Sequence, residues 1–506
     1  MLYMRSVPRR ARYALMLLAC LGLLQGSSAS AAILWVDPSG SVTGSYKTIQ
    51  AAVNAAATSG DIIQVMPGTY VADNPWDTSV INISDKSLII GSTTANPADV
   101  IIDGEGERRC MEISEWSHPA SVVVGGMTFV NGSSMYFGGG IHTDMFSSNV
   151  FLFDSVIKEC SAMFGGGLWL EGGLHLLMGV VIEDNDAAKS GGGIDARYTY
   201  LYLYQVDVQD NNSSSFGGGI DCYRSINFLR ELNCKGNTSD YGGGLSENSC
   251  KSTLYDCVFE HNVSGSGGGI NCSRGKMTIH DSAVNFNSAW DTCGGALNAR
   301  SMELEIDGLE ARANTTADWG AVALSESNAR ITNSSFDSNI TNGDAAALSL
   351  FRGSLVLTSS SFNNNQGVGS GAVRLFGHLD HGITRVMIDE CEFESNVSTG
   401  TLSFDGGGAI MLVGNLMATM TQCQFNDNMS SSNGGAIFNS SRVLSTIRWG
   451  DFSNNHSLAA TSATIDSTRF PGRFRAYGCS HCNDTPGAWT YGVVDLGLNT
   501  FLLTCP

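Results

Sequence analysis

Two aspartates, an arginine and a run of tyrosines carry the most chemistry in this sequence. Asp195 and Asp221 lie 26 residues apart, each directly after an aliphatic residue that closes a glycine triplet, 191–193 and 217–219. If those 26 residues form one turn of a stacked structure, the two carboxylates stand side by side, about 5 Å apart. Carboxylates that close can act as a general acid/base pair or hold Ca²⁺. Arg197 lies two residues past the first aspartate, and Tyr223 and Arg224 follow the second. The opposing expectation is a pair of solvated surface or corner residues. Tyr198, Tyr200, Tyr202 and Tyr204 alternate with Thr199, Leu201 and Leu203. On a strand this pattern turns the leucines inward and the tyrosines outward. The row Tyr200, Tyr202 and Tyr204 then suits stacking against sugar rings, against the plain preference of Tyr for sheet faces.

What positions these residues is a repeat. A triplet of small residues followed by an aliphatic recurs before Ile141, Leu168, Ile194, Ile220, Leu245, Ile270, Leu297, Leu324, Leu348, Val373, Ile410 and Ile437. The steps run from 24 to 27 residues, with one of 37 that contains the extra segment 377–384, expected to be an inserted loop. In step with the triplets, Phe-x-x-Asn starts at Phe259, Phe336, Phe362, Phe393, Phe425 and Phe452, while Asn185, Asn211, Asn237, Asn287 and Asn314 keep the Asn place. Short alternating apolar stretches lie between the markers, with the period of a strand.

A period near 25 with two or three short strands and sharp corners is one coil of a right-handed parallel β-helix, an all-β solenoid. A coil cannot bury its inner face alone, so its neighbours must stack on it. The glycines supply the corners, the asparagines an internal hydrogen-bonded ladder, and the phenylalanines a buried column. A leucine-rich solenoid would need Leu-x-x-Leu-x-Leu, and a propeller a longer period. The segment 46–56 has Ile49, Val53 and Ala56 on one face, the pattern of a short amphipathic helix that caps an open coil. The expected organisation is a signal peptide over 1–31, an N-terminal cap of helix and first strand over 32–78, about 15 coils over 79–456, and a C-terminal cap over 457–506.

The signal expectation rests on Arg5, Arg9, Arg10 and Arg12 ahead of the apolar run 13–24, with Ala29-Ser30-Ala31 as a cleavage site. Its removal would take four positive charges and change the formal net charge from −20 to −24. Such a surface repels nucleic acid, anionic lipid and acidic polysaccharide unless cations intervene, so a pectin-like substrate would need a bridging metal such as Ca²⁺. No later stretch has the length of a membrane helix. Export favours disulfides. Cys257, Cys391 and Cys423 nevertheless share one repeat position, two residues before a Phe, and are expected to be buried packing residues. Cys479-Ser480-His481-Cys482 has half-zinc-site spacing without a second half, and a local disulfide there, with Cys505 as a further partner, is the expectation. Many N-x-[ST] sequons start at the ladder Asn and would be buried; Asn82, Asn271, Asn439 and Asn483 are the better acceptors.

Two resemblances follow from these motifs. The wording TIQAAVNAA…GDIIQVMPGTY within 46–70 resembles the opening of pectin-lyase-like β-helix proteins. That superfamily implies polysaccharide lyases, hydrolases, esterases and epimerases beside many non-enzymatic members. From about 120 to 456, GGA[IL] alternating with FxxN resembles the repeats of chlamydial polymorphic outer-membrane proteins, which implies an adhesin. Those adhesins end in a membrane β-barrel, and residues 456–506 are too short for one. The esterase and polygalacturonase motifs are missing as well, and Gly377-His378-Leu379-Asp380-His381-Gly382 is the nearest fragment. The leading expectation is a secreted or cell-surface β-helix that binds glycans or surfaces, adheres, or serves as an extracellular structural component. Its partner would be a polysaccharide or cell-surface glycan, not nucleic acid. The alternative is a lyase, hydrolase or epimerase of acidic polysaccharide built around Asp195, Arg197 and Asp221.

Overall fold

The computed structural model describes residues 31–458 apart from 115–119, 145–147, 292 and 381, and then 464–467, 469, 471–482, 490–491, 493–497 and 499–502. Residues 1–30 of the export signal expected over 1–31, Asn483 and Cys505 lie outside the described residues. The chain divides into two compact units, Met1–Asn233 and Cys234–Pro506. Each is built from coils of a right-handed parallel β-helix.

One coil of the first unit shows the plan. Strands Ile194–Arg197, Tyr200–Tyr204 and Asp207–Gln209 are followed by the two-residue strand Asn212–Ser213. Each pairs in parallel with its counterpart a coil away, as in Ile194↔Ile220, Tyr200↔Ile226, Val181↔Asp207 and Asp186↔Asn212. A coil therefore has four strands rather than the two or three expected, because the fourth is too short to leave a periodic signal. In two coils of the second unit the first two strands fuse, so that Val322–Thr332 and Leu348–Thr358 run unbroken for 11 residues each.

Strand alternation sends Leu201 and Leu203 into the core. The glycine triplet turns the coil tightly. A Cβ on Gly192 would sit 2.3 Å from the Gly218 carbonyl and 2.5 Å from that of Asn212, closer than any side chain tolerates. The register corrects one repeat assignment. Leu297 pairs with Val322 and Val322 with Leu348, so Val322 takes the aliphatic position expected for Leu324. Leu324, two residues on, also faces inward and aligns with Ala299 and Leu350.

The asparagine ladder is present in both units. Asn185 donates to Asn211 Oδ1 at 2.9 Å in the first. In the second, Asn237, Asn262, Asn287, Asn314, Asn339, Asn365, Asn396, Asn428 and Asn455 bond in unbroken succession at 2.9–3.2 Å. Beside them Phe336, Phe362, Phe393, Phe425 and Phe452 stack nearly parallel, 4.5–5.0 Å apart. His481 continues that column 4.7 Å beyond Phe452. Cys479 therefore occupies the position of Cys257, Cys391 and Cys423, two residues ahead of the ring, and all four are buried. Among the described residues Cys479 forms no disulfide, which corrects the bridge expected at that cysteine. Burial pushes the Cys391 thiol up to about 11 and that of Cys423 to about 12.

The 37-residue step holds two insertions rather than one. Leu348 and Ser354 are six residues apart, whereas their partners Val373 and Arg385 are twelve apart. Likewise the six residues from Gly367 to Val373 become twelve from Ser398 to Ile410. The expected loop at 377–384 is thus matched by a second one after Ser398. Asn439 is fully buried and donates to Ser467 Oγ at 2.9 Å, which removes it as a glycan acceptor.

The short helix forms over Ile49–Ala55, with Thr48 as its N-cap and Ile49, Ala52 and Val53 buried. Lys86 Nζ caps its far end by donating to the carbonyls of Val53, Asn54 and Ala56 at 2.7–3.1 Å. Gln50 accepts from the N–H and donates to the carbonyl of Asn82, in the strand Ser79–Ser84.

Candidate functional site

The first sheet of the first unit places Leu168–Glu171, Ile194–Arg197 and Ile220–Tyr223 in register. Its outward rungs are therefore Trp169–Asp195–Asp221 and Glu171–Arg197–Tyr223. The expected juxtaposition of Asp195, Asp221 and Arg197 holds, but the two aspartates are not solvated. Asp195 is 0% exposed and Asp221 7%. The corner explains the burial. Gly191 has φ +64°, and a Cβ there would lie 2.6 Å from the Asp195 Cβ, so only glycine lets the chain fold back over the aspartate.

Arg197 clamps both acids. Its Nε donates to Asp195 Oδ1 at 2.6 Å, and its Nη2 to Asp195 Oδ2 at 2.9 Å and Asp221 Oδ2 at 3.1 Å. Ser190 Oγ donates to Asp195 Oδ2 at 2.5 Å. The guanidinium also lies 5.4 Å from the Trp169 ring centre and 5.7 Å from that of Tyr223, within cation–π range. Arg224 extends the series, at 5.2 Å from Tyr223 and 6.0 Å from Tyr198. Burial pushes the Asp195 carboxyl above the usual carboxylate range, against the pull of Arg197 and Ser190. Glu171 is likewise raised, mainly by burial.

These facts change the chemistry expected of the cluster. A Ca²⁺ ion between the aspartates would have to occupy the place of the Arg197 guanidinium, and among the described residues no three His, Cys, Asp or Glu side chains are grouped to hold a metal. Asp195 offers no surface to a substrate. The arrangement is a bidentate clamp tying adjacent coils together.

The tyrosine row is outward-facing. Tyr200 is 53% exposed and Tyr202 38%, Tyr204 is half-buried, and Leu201 and Leu203 are in the core. In register with Tyr202 lie Leu176 on one side and Phe228 on the other, the latter ring 6.0 Å away. Tyr200 lies between Leu174 and Ile226, and Tyr204 between Met178 and Arg230. The row is thus the centre of a broad apolar field on the second sheet.

A further aromatic group was not anticipated. Phe137 packs against Trp169 at 4.4 Å, Phe164 at 5.6 Å and His142 at 6.1 Å, with Tyr136 and Met135 exposed beside it. Burial, helped by Arg109, pushes the His142 imidazole down to about 3. A signal for this group was available: Phe137, Phe164 and Phe216 each directly precede a glycine triplet.

Fold and site together define a parallel β-helix with a buried ionic clamp and exposed aromatic faces. Residues 422–440, which include Phe425, Asn428 and Ile437, match the model of the Chlamydia polymorphic membrane protein repeat. The chain is a parallel β-helix whose repeats are similar to that one. A comparison with curated proteins finds no match. Among solved structures it is similar to the catalytic domain of a GH87 alpha-1,3-glucanase in complex with nigerose, at 10% identity over 94% of this chain and 70% of that one, TM-score 0.24. It is also similar to the tailspike protein of E. coli bacteriophage HK620 in complex with a pentasaccharide, at 12% identity over 93% and 78%, TM-score 0.24. No helix among the described residues is long and apolar enough to cross a membrane.

Proposed function

We propose that this is an extracellular or cell-surface β-helix that binds glycans through the outward face of its second sheet, around Tyr200, Tyr202 and Tyr204. The observation that carries the proposal is the exposure of Tyr200 and Tyr202 above a fully buried Leu201 and Leu203, in an apolar field that includes Ile226 and Phe228. Contiguous exposed apolar surface on a folded chain marks an interaction site, and tyrosine presents an apolar ring with a polar tip. Successive outward rings on one strand stand about 7 Å apart, so neighbouring rings can engage neighbouring units of one chain. A glycan array probed with the wild-type protein and with Tyr200→Ala/Tyr202→Ala tests this. Binding that is lost in the variant supports it; binding that survives unchanged refutes it. The enzymatic alternative would gain only if uronate polymers were cleaved and Asp221→Ala abolished the cleavage.

A further inference from the structure

In the second unit, the corner between the second and third strands is a column of residues with positive φ. In order it holds Asp256, Asp281, Gly308, Asn333, Ser359, Glu390, Gln422, Trp449 and Gly478. The left-handed region suits Gly, Asn and Asp and disfavours bulky side chains. Every occupant is glycine or polar except Trp449, which has φ 56° and an indole that is 49% exposed. Folding alone gives no reason to place the largest side chain at a strained, solvent-facing corner, and strain of this sort points to function.

The surroundings accommodate the ring. A Cβ on Gly478, one coil on, would lie 2.4 Å from Trp449 Cε3, so the indole rests against backbone that only glycine leaves free. Tyr477 meets it edge-on with ring centres 5.2 Å apart. Two residues past the corner, a second column in register runs Glu392, Gln424, Asp451, Ser480. The two columns enclose a groove of about 540 Å³ lined by Glu390, Glu392, Gln422, Gln424, Trp449 and Asp451. That volume is within the range of small-molecule sites. Ser480 Oγ donates to Asp451, and Ser359 Oγ donates to Glu390 at 3.3 Å.

We infer that this groove is a second glycan site, with Trp449 as the platform for one pyranose ring and the flanking carboxylates and amides bonding its hydroxyls. It stands independently of the tyrosine face of the first unit. The ligand is a neutral hexose chain. Among the described residues three carboxylates and no cation line the groove, so they accept from hydroxyl donors and repel uronates. Rungs about 4.8 Å apart offer a polar contact at each step along an extended chain.

The test is isothermal titration of the full chain with cellohexaose, maltohexaose and laminarihexaose, with hexagalacturonate as the contrast. At least one neutral hexaose should bind, and Trp449→Ala should weaken it tenfold or more with an unchanged thermal melt. Trp449→Phe should retain binding within a few-fold, and Asp451→Asn should weaken it without unfolding. Tyr200→Ala/Tyr202→Ala should leave this binding intact, which separates the groove from the tyrosine face. The inference is overturned if no neutral hexaose binds at millimolar concentration, if Trp449→Ala binds within twofold of wild type, or if hexagalacturonate binds equally well.

Discussion

Replacing Asn339 by alanine should destabilise the second unit more than any exposed substitution. Its Oδ1 accepts from the Asn314 backbone N–H at 3.0 Å and from Asn314 Nδ2 at 3.1 Å. Its Nδ2 donates to the Ala311 carbonyl at 2.9 Å and to Asn365 Oδ1 at 3.0 Å. All four bonds disappear together in a column with no exposure. Each bond contributes about 1 kcal/mol net, and a buried partner left unsatisfied costs more. The expected loss is about 4 kcal/mol, and water entering the vacated space would lower it. Urea unfolding would read the loss as a lower midpoint. Amide exchange at Asn314, whose N–H loses its acceptor, should rise at the same time. A loss below about 1 kcal/mol, with Asn314 still protected, would refute the view that the ladder is a principal stabiliser.

Three further outcomes are expected. Arg197→Met leaves Asp195 and Asp221 buried without their common partner and should destabilise the first unit by about 3–5 kcal/mol in a denaturant melt; an unchanged melt would show the clamp to be idle. The His175 imidazole is fully buried, accepts at Nδ1 from the Val150 N–H at 3.3 Å, and is pushed by burial from 6.5 down to about 4. The folded state therefore binds this proton less readily than the unfolded one. The associated stability is fully present above pH about 6.5 and drains away toward pH about 4, by about 3 kcal/mol at most. His175→Leu should abolish that component of the pH dependence, and an identical profile would exclude it. Finally, Cys391 and Cys423 should not react with a thiol reagent at pH 8 in the folded protein and should react once it unfolds; rapid native labelling would contradict their inward placement.

The shape was legible because the residues that build it face inward, where every coil presents the same environment. A Phe or an Asn that suits one coil suits the next, so the sequence repeats itself and the repeat declares the fold. The aspartates were legible as neighbours for the same reason. Their burial was not, since the residue after the aliphatic points away from the core on a plain strand. Only the fold-back at Gly191, a tertiary feature, covers Asp195. Trp449 leaves no signal on the opposite ground: it departs from its column of glycine and polar residues, and a single departure has no period. Cys479 was misread because its neighbour in the stack is His481 rather than Phe, which hid its membership of the column.

The ladder also bears on how such a chain can change its length. The Asn–Asn bonds of the second unit each join an asparagine to its equivalent one coil away, so the ladder gives no coil an address of its own. Cutting out residues 322–347 would bring Ala321 next to Leu348, which then takes the aliphatic position of Val322, and return Asn314 to an asparagine partner, now Asn365. Whole coils can thus be lost or duplicated in frame with the interior chemistry unaltered. What varies is the spacing between exposed features such as Trp449 and the loop at 377–384. A gene with repeats of this kind can alter its reach by unequal recombination while leaving its architecture intact.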